Sequence, residues 1–419
     1  MIKWRYVAVL TLSYFSLGLL IPVLSLMLMD KGVSLGGLAL AMGVYSLTAV
    51  LLELPSGIAA DMLGRKRTFL LSLLVSCAAF VLPLFVSGTA WIFVVMVLAG
   101  AGRAMSSGTV EALFVSRHNA AYGMDSLPKA MRALALTESA GAATGALLGG
   151  FLPNIRAALL PAMGTYDLNL ALRVALGLLL LVLTVIWIPS DNREGQAHVR
   201  LREHLRESVR TVRVSHALKW VLLATVGLGV ALSALEAYWQ PHFLGLLGGE
   251  DRAGLLGLLS TLYFGAVTAG NLLSERLLSK HRVGEKVMYL AGRAAMIACM
   301  AGVALAASPA LFMALYCPMY FCLGASNISE GSLLHREVPD ESRASLLSTQ
   351  SLSLQSGSIA VAIGGGAIVV GSSIQTLWLI AAAASLLLLA PALRIVRRRR
   401  PEGEAAAADG GAQAEQGIN

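Results

Sequence analysis

The stretch Gly57-Ile58-Ala59-Ala60-Asp61-Met62-Leu63-Gly64-Arg65-Lys66-Arg67 separates two long apolar runs, at 36–60 and 68–87. A helix that crosses a bilayer needs about 20 mostly apolar residues, and each run reaches that length. Gly64, between the two runs, permits a tight turn, and the three cations that follow it make this turn basic. The stretch therefore predicts two membrane helices joined by a short basic loop.

The composition of the whole chain agrees with this prediction. Of its 419 residues, 57% are hydrophobic and 13% are charged, and the mean hydropathy is +0.73. Soluble proteins carry about 25% charged residues, so this chain cannot supply the polar coat of a soluble fold. We exclude a disordered chain, a disulfide-stapled secreted domain and a water-soluble enzyme. We predict an all-α, multi-pass membrane protein that is not an enzyme.

Twelve apolar runs are long enough to cross the membrane, six on each side of a charged stretch near the middle of the chain. They lie at 6–29, 36–60, 68–87, 91–115, 130–153, 168–189, 217–246, 254–277, 287–307, 309–333, 344–370 and 373–395. We predict an N-terminal six-helix half (1–189), a cytoplasmic linker with an amphipathic helix (190–216), a C-terminal six-helix half (217–396) and a disordered cytoplasmic tail (397–419).

The basic residues predict the orientation, because cytoplasmic loops carry an excess of Lys and Arg. With the N-terminus inside, the external loops hold only Lys31, Arg156 and Arg252. We expect both termini in the cytoplasm of a bacterium, with the chain in its cell membrane. The net charge of +8 then reflects orientation and contact with anionic lipids, and no motif points to nucleic acid.

Sequence motifs for metal or cofactor chemistry are missing. The four cysteines have no CxxC spacing, the seven histidines form no HxxxH pair, and there is no P-loop. We expect no cofactor and no metal, and we expect a monomer that handles small molecules.

Two landmarks indicate an internal repeat, because each recurs roughly 215 residues further along the chain. They are Asp61 and Lys66 with Glu275 and Lys280, and Gly141, Gly149 and Gly150 with Gly357, Gly365 and Gly366. Two similar halves favour a site at the interface between them.

The 57–67 stretch resembles the signature G-x-L-A-D-R-x-G-R-K-x of the major facilitator superfamily, which lies between helices 2 and 3. It departs from the signature at Ala59 and Met62. The layout of twelve spans in two sets of six extends the resemblance over most of the chain. The resemblance implies a transporter whose halves rock to open a central site to each side in turn.

The same stretch predicts a cytoplasmic gate. Asp61 ends its helix, where the helix dipole disfavours an anion, so it needs a partner. The resemblance implies two: the start of helix 11, at Ser342-Arg343-Ala344, and Arg117 at the inner end of helix 4. We assign Gly57 to close helix approach and Gly64 to the turn. The gate set is Gly57, Asp61, Gly64, Arg65, Lys66, Arg67 and Arg117; its cations also fit a plain positive-inside signal.

Helix 5 carries the run 141–150, which resembles the antiporter signature G-x-x-x-G-P-x-x-G-G of drug/proton exporters in this superfamily. Its glycines are Gly141, Gly145, Gly149 and Gly150, and Ala146 stands where the signature has proline. The alternative is generic packing of small residues between helices.

Ionisable residues inside a membrane usually face a cavity or a partner. In the N-terminal half, Glu53, Glu111, Glu138 and Arg103 form one predicted polar cluster. A carboxyl group in such a site can bind and release protons, and we expect Glu53 and Glu138 first in this role. The alternative is structural pairing of Arg103 with Glu111 or Glu138.

In the C-terminal half, Glu236, Tyr238, Trp239 and Gln240 precede Pro241 near the outer end of helix 7. An acid beside two aromatics fits a wall for amphipathic substrates, and an interfacial aromatic belt is the alternative. Further polar residues are expected to line the cavity. These are Asn327, Glu330, Gln350 and Gln355.

We predict a secondary active transporter that exports small amphipathic or drug-like compounds in exchange for protons. Its expected partners are a small-molecule substrate, protons and membrane lipids. One alternative is a proton-coupled uptake symporter for a sugar or organic anion, which Arg103 and Arg173 would support. A receptor or scaffold on the same fold is another, although the chain has no large soluble domain.

Overall fold

The structure is a computed structural model that describes residues 2–123, 126–190, 216–249, 252, 254–280, 282–336 and 343–394. The predicted amphipathic linker helix and the predicted disordered tail lie outside these residues. Within them the chain forms the following helices: α1 (Ile2–Gly18), α2 (Leu24–Asp30), α3 (Leu38–Leu63), α4 (Arg65–Phe85), α5 (Thr89–Ser106), α6 (Val110–Tyr122), α7 (Leu127–Leu159), α8 (Asp167–Trp187), α9 (His216–Leu247), α10 (Gly254–Ser279), α11 (Glu285–Ala304), α12 (Pro309–Arg336), α13 (Arg343–Gly371) and α14 (Ile374–Leu389).

The predicted all-α membrane fold is confirmed. The described residues contain no β-strand, and ten helical segments among them are long and apolar enough to cross a membrane. The other two predicted spans are the first, which forms α1 and α2, and the fifth, which forms α7. With 33 residues, α7 is about 50 Å long at 1.5 Å per residue, which exceeds the thickness of a bilayer core.

The first predicted span, 6–29, is not one continuous helix. It breaks between Gly18 and Leu24, around Pro22, which has no N–H to donate and clashes with the preceding turn of a helix. A short turn carries the chain across, with the Val23 N–H donating to the Leu20 carbonyl at 3.1 Å. The break places irregular backbone inside the bundle, where other helices can satisfy it.

The fourth predicted span, 91–115, is also broken. Gly108 adopts φ +66°, a left-handed conformation that glycine tolerates and helices exclude. The Thr109 hydroxyl donates to the Ser106 carbonyl at 2.7 Å, which satisfies a carbonyl freed by the break. Arg103 therefore lies in the last turn of α5 and Glu111 in the first turn of α6.

The helices form two halves, α1–α8 and α9–α14. Within the first half, α1 packs on α7, and α4 packs on α5 and α8. Within the second, α9 packs on α13 and α14, and α12 packs on α10 and α11. The halves meet mainly through α7 against α10 and α3 against α13.

We call the end of the bundle opposite the 57–67 turn the far end. At this end, both contacts between the halves depend on glycine. A Cβ at Gly257 of α10 would collide with the α7 backbone next to Gly150, and a Cβ at Gly366 of α13 would collide with the backbone of Gly36. Gly150 and Gly366 belong to the repeated glycine landmark, so the same device closes both sides of the interface. We call the end with the 57–67 turn the turn end.

Candidate functional site

A cavity of about 580 Å³ lies between the two halves, a volume that suits a drug-sized ligand. Both halves supply polar and aromatic side chains to its wall. They include Tyr14, Arg103, Glu111, Glu138 and Arg173 from the first half, and Glu236, Trp239, Gln240, Tyr263 and Tyr320 from the second.

Three of the four predicted members of the N-terminal polar cluster meet in this cavity. The Tyr14 hydroxyl donates a hydrogen bond to the Glu111 carboxylate, and Glu138 lies close enough to interact electrostatically with both Glu111 and Arg103. Among the described residues, however, no carboxylate lies within ion-pair distance of Arg103. The structural pairing of Arg103 with Glu111 or Glu138 is therefore not formed in this state.

Glu53 lies apart from that cluster. Its carboxylate is exposed and accepts a hydrogen bond from the Ser351 hydroxyl at 3.3 Å, so it sits where α3 meets α13. The structure thus corrects the prediction of one cluster containing all three acids. Glu53 lies at the contact between the two halves, on the turn-end side of the cavity.

Arg173 of α8, which the sequence offers as support for the uptake alternative, also lines the cavity. Its guanidinium donates to the Ser16 carbonyl at 2.5 Å and lies over the Phe80 ring, 4.1 Å from the ring centroid. These contacts hold the cation against the N-terminal wall of the cavity. Its only sequence signal is an arginine within a membrane span.

The C-terminal wall contains most of the predicted 236–240 cluster. Glu236, Trp239 and Gln240 line the cavity, whereas Tyr238 is fully buried outside it. The Gln240 amide donates to the Ile21 carbonyl at 2.9 Å, next to the break between α1 and α2. Trp239 is buried and packs on Tyr316 with ring centroids 5.5 Å apart, which places it inside the bundle and not in an interfacial belt.

Sequence reasoning missed the two tyrosines that extend this wall. Tyr263 of α10 and Tyr320 of α12 stack with ring centroids 4.5 Å apart and line the cavity. A tyrosine in an apolar helix is common, so neither position carried a distinguishing signal before the helices were placed.

The prediction that Asn327, Glu330, Gln350 and Gln355 line the cavity is corrected, because none of them belongs to its wall. Glu330 instead forms a buried ion pair with Arg293 of α11. It also accepts from the Thr225 hydroxyl at 2.8 Å and the Gln350 amide at 2.9 Å. The Arg293 guanidinium donates to Asn327 at 3.2 Å. We call Glu330, Arg293, Thr225 and Gln350 the buried network; Asn327, which is exposed, lies at its edge.

The 57–67 turn has the predicted backbone but different contacts. Gly64 adopts φ +91°, as a tight turn between α3 and α4 requires. A Cβ on Gly57 would meet nothing within 4 Å, so the predicted close helix approach at Gly57 is wrong. The Lys66 ammonium donates to the Val185 carbonyl at 3.0 Å, near the C-terminal end of α8, where the helix dipole favours a cation.

Asp61 is exposed at the end of α3, and no ion pair reaches it within the described part of the chain. Arg117 is also exposed, near the end of α6. The predicted partners at 342–344 lie outside the residues whose side chains the structure describes. At the turn end the halves are joined by an exposed ion pair between Arg132 of α7 and Glu275 of α10, at 2.9 Å.

The glycines of the run 141–150, which lie on α7, serve two helix contacts. A Cβ on Gly141 or Gly145 would collide with the backbone of α1, and a Cβ on Gly149 with the backbone of Leu19, just after α1, so this face seats α7 against α1 without side chains between them. Gly150 lies on the side of α7 that meets α10. The glycine run therefore packs the N-terminal half and also supports its contact with the other half.

Comparison with known proteins agrees with this architecture. The family described as Major Facilitator Superfamily matches residues 7–250 and 247–416. A relative from Bacillus subtilis (strain 168), an uncharacterized MFS-type transporter named YxaM, is 24% identical over 285 residues, which is 66% of each chain. The alignment thus spans slightly under two thirds of that relative.

Solved transporter structures share the fold. A mutant of the nucleoside transporter NupG superposes with a TM-score of 0.78 at 19% identity, covering 94% of this chain and 99% of NupG. A bacterial homologue of the human lysosomal transporter Spinster, in an inward-facing and unoccupied conformation, gives a TM-score of 0.70 at 14% identity, covering 93% and 94% of the two chains. With two six-helix halves around a central cavity and family matches along its length, this chain belongs to the Major Facilitator Superfamily and is a multi-pass membrane transporter.

Proposed function

We propose that this transporter exports small amphipathic compounds in exchange for protons. The observation that carries the proposal is the cavity itself, in which Glu111, Glu138 and Glu236 share a space with the aromatic wall of Tyr263 and Tyr320. A proton bound by a cavity carboxylate cancels a negative charge, and a cationic group on a substrate does the same. Proton and substrate can therefore compete, which is the coupling that antiport needs.

Alternating access supplies the transport step. The glycine contacts close the far end together with two hydrogen bonds between the halves: the Gln240 amide of α9 donates to the Ile21 carbonyl in the α1–α2 break at 2.9 Å, and the Ser25 hydroxyl of α2 donates to the Ala237 carbonyl of α9 at 2.9 Å. The turn-end contacts, Arg132 with Glu275 and Ser351 with Glu53, are exposed. In the proposed cycle the cavity opens toward the turn end from this state. The positive-inside pattern assigns that end to the cytoplasm.

The proposed direction of transport rests on the glycine run 141–150 of α7, which resembles the antiporter signature of exporters. Uptake of a sugar or organic anion by proton symport is the second candidate. It is favoured by Arg103 and Arg173 on the cavity wall.

The test uses purified protein in proteoliposomes, with ethidium as the probe and an imposed pH gradient. We expect the gradient to drive ethidium movement in the wild type and in the control Arg276→Gln, which removes an exposed cation of α10. Glu138→Gln is expected to lose the response to the gradient. Ethidium flux that is the same with and without a gradient in the wild type would contradict proton antiport.

A further inference from the structure

Among the described residues, two charges on the cavity wall lack a partner of opposite charge, and they have opposite signs. Arg173 interacts electrostatically with Tyr45 and Cys77, neither of which carries a carboxylate, and among the described residues no carboxylate lies within ion-pair distance of it. Its Nε is buried without a hydrogen-bond partner. The carbonyl of Ser16 and the ring of Phe80 orient this cation, but they do not neutralise it.

Glu236 is the opposite case on the other half. Its side chain is exposed to the cavity, whereas its neighbours Leu235 and Ala237 are buried. No ion pair or side-chain hydrogen bond reaches its carboxylate within the part of the chain that the structure describes. An unpaired charge inside a membrane protein is costly, so its retention points to a ligand.

Other cavity charges differ, because Arg103 faces two carboxylates, Glu111 and Glu138, in the same cluster. In the proposed function that cluster exchanges protons, so its charges are assigned to protons and not to the substrate. Arg103, Arg173 and Glu236 all interact electrostatically with the Tyr45 hydroxyl of α3, and all of them line the cavity. Arg173 and Glu236 stand on different halves, one on α8 and one on α9.

We propose that the cavity binds zwitterions with an apolar body, the carboxylate at Arg173 and the ammonium group at Glu236. This inference rests on the proposed function and narrows its substrate class. Arginine can hold a carboxylate through two parallel hydrogen bonds, and Tyr263, Tyr320 and Trp239 provide the surface for the apolar body. A ligand of this kind connects both halves and neutralises both charges at once.

The experiment measures binding to the purified protein by isothermal titration, which needs no pH gradient. One probe set is phenylalanine, its methyl ester and N-acetylphenylalanine. The other, with a longer charge separation, is 4-(aminomethyl)benzoic acid, 4-methylbenzylamine and 4-methylbenzoic acid. In each set the first compound is the zwitterion, the second the cation and the third the anion.

We expect the zwitterion of at least one set to bind about tenfold or more tightly than both of its singly charged partners, as one extra charge-assisted contact supplies. Arg173→Gln should reduce the zwitterion to the affinity of the cation, and Glu236→Gln should reduce it to that of the anion. Arg173→Lys keeps the cation and should recover part of the loss, and the exposed control Arg276→Gln should bind like the wild type.

The inference is overturned if neither zwitterion outbinds its partners, or if both neutral variants bind as the wild type does. In the second case the two charges would serve contact between the halves. This outcome can be distinguished from a failure of proton antiport. Preferential zwitterion binding without gradient-driven flux would contradict the antiport mechanism and support the binding site. Gradient-driven ethidium flux without preferential zwitterion binding would support antiport and contradict the binding site.

Discussion

Each half of this transporter places one cluster of ionisable residues inside the membrane, and the two clusters are arranged in opposite ways. In the C-terminal half, the buried network surrounds Glu330 with Arg293, Thr225 and Gln350, and both charged side chains are only 3% exposed. In the N-terminal half, Glu111, Glu138 and Arg103 line a cavity without forming an ion pair among themselves. The C-terminal cluster neutralises its charges internally, whereas the N-terminal cluster leaves its charges available to protons or substrate.

This difference separates structural charge from functional charge, although the residue types are the same. Burying an ion pair removes both charges from water, and the cost is recovered only through good geometry and additional hydrogen bonds. The buried network has these additional hydrogen bonds, from Thr225 and Gln350 to Glu330. The cavity cluster can instead exchange partners with protons or substrate.

The largest expected effect is on the buried network. Arg293→Ala leaves the Glu330 carboxylate uncompensated in the interior, so we expect a loss of about 3–5 kcal/mol of stability. Thermal unfolding of the purified protein, followed by intrinsic fluorescence, measures this loss. As a control, Arg293→Met combined with Glu330→Leu removes both charges and should recover most of the stability. A melting temperature of Arg293→Ala equal to that of the wild type would show that the pair is not structural.

Glu111→Gln tests the opposite arrangement. The amide oxygen still accepts from the Tyr14 hydroxyl, so we expect a stability change of less than about 1 kcal/mol. Gradient-driven flux should nevertheless fall, because the side chain can no longer take up a proton. The same melting assay and the proteoliposome assay give both readouts. If this variant melted as early as Arg293→Ala, the distinction between the two halves would be lost.

The sequence predicted the fold well, because hydropathy over about 20 residues determines where a membrane helix lies. It also placed the Gly64 turn and drew attention to Glu138 and Glu236 as charges within spans. The breaks at Pro22 and Gly108 depend on whether neighbouring helices can satisfy the freed backbone groups, which length and hydropathy do not record.

The sequence could not predict which charge faces the cavity. Glu330 and Glu138 are both acids within apolar helices, yet one meets an arginine from α11 and the other meets open space. Rotation of a helix about its axis is set by packing against its neighbours, and these neighbours are distant in sequence. For the same reason Tyr263 and Tyr320 became visible as wall residues only after α10 and α12 were positioned.

Removal of one hydrogen bond from the buried network should have a smaller effect. Thr225→Val keeps the shape of the side chain but removes the hydroxyl that donates to Glu330 at 2.8 Å. Because Arg293 and Gln350 still serve that carboxylate, we expect a loss of about 1 kcal/mol in the melting assay. Gradient-driven flux at a permissive temperature should remain. Loss of flux with unchanged melting would instead place the network in the transport cycle.

The smallest expected effect concerns the exposed ion pair of Arg132 and Glu275, whose side chains are 66% and 52% exposed. Exposed pairs contribute about 0–1 kcal/mol, so Arg132→Gln should scarcely change the melting temperature. Salt makes the comparison sharper, because the Debye length falls to about 3 Å at 1 M and screens exposed charges far more than buried ones. Any difference between Arg132→Gln and the wild type should therefore vanish in 1 M salt, whereas the deficit of Arg293→Ala should persist. A deficit of Arg293→Ala that also vanished in salt would mean that water reaches the buried network, and the contrast between the two halves would fail.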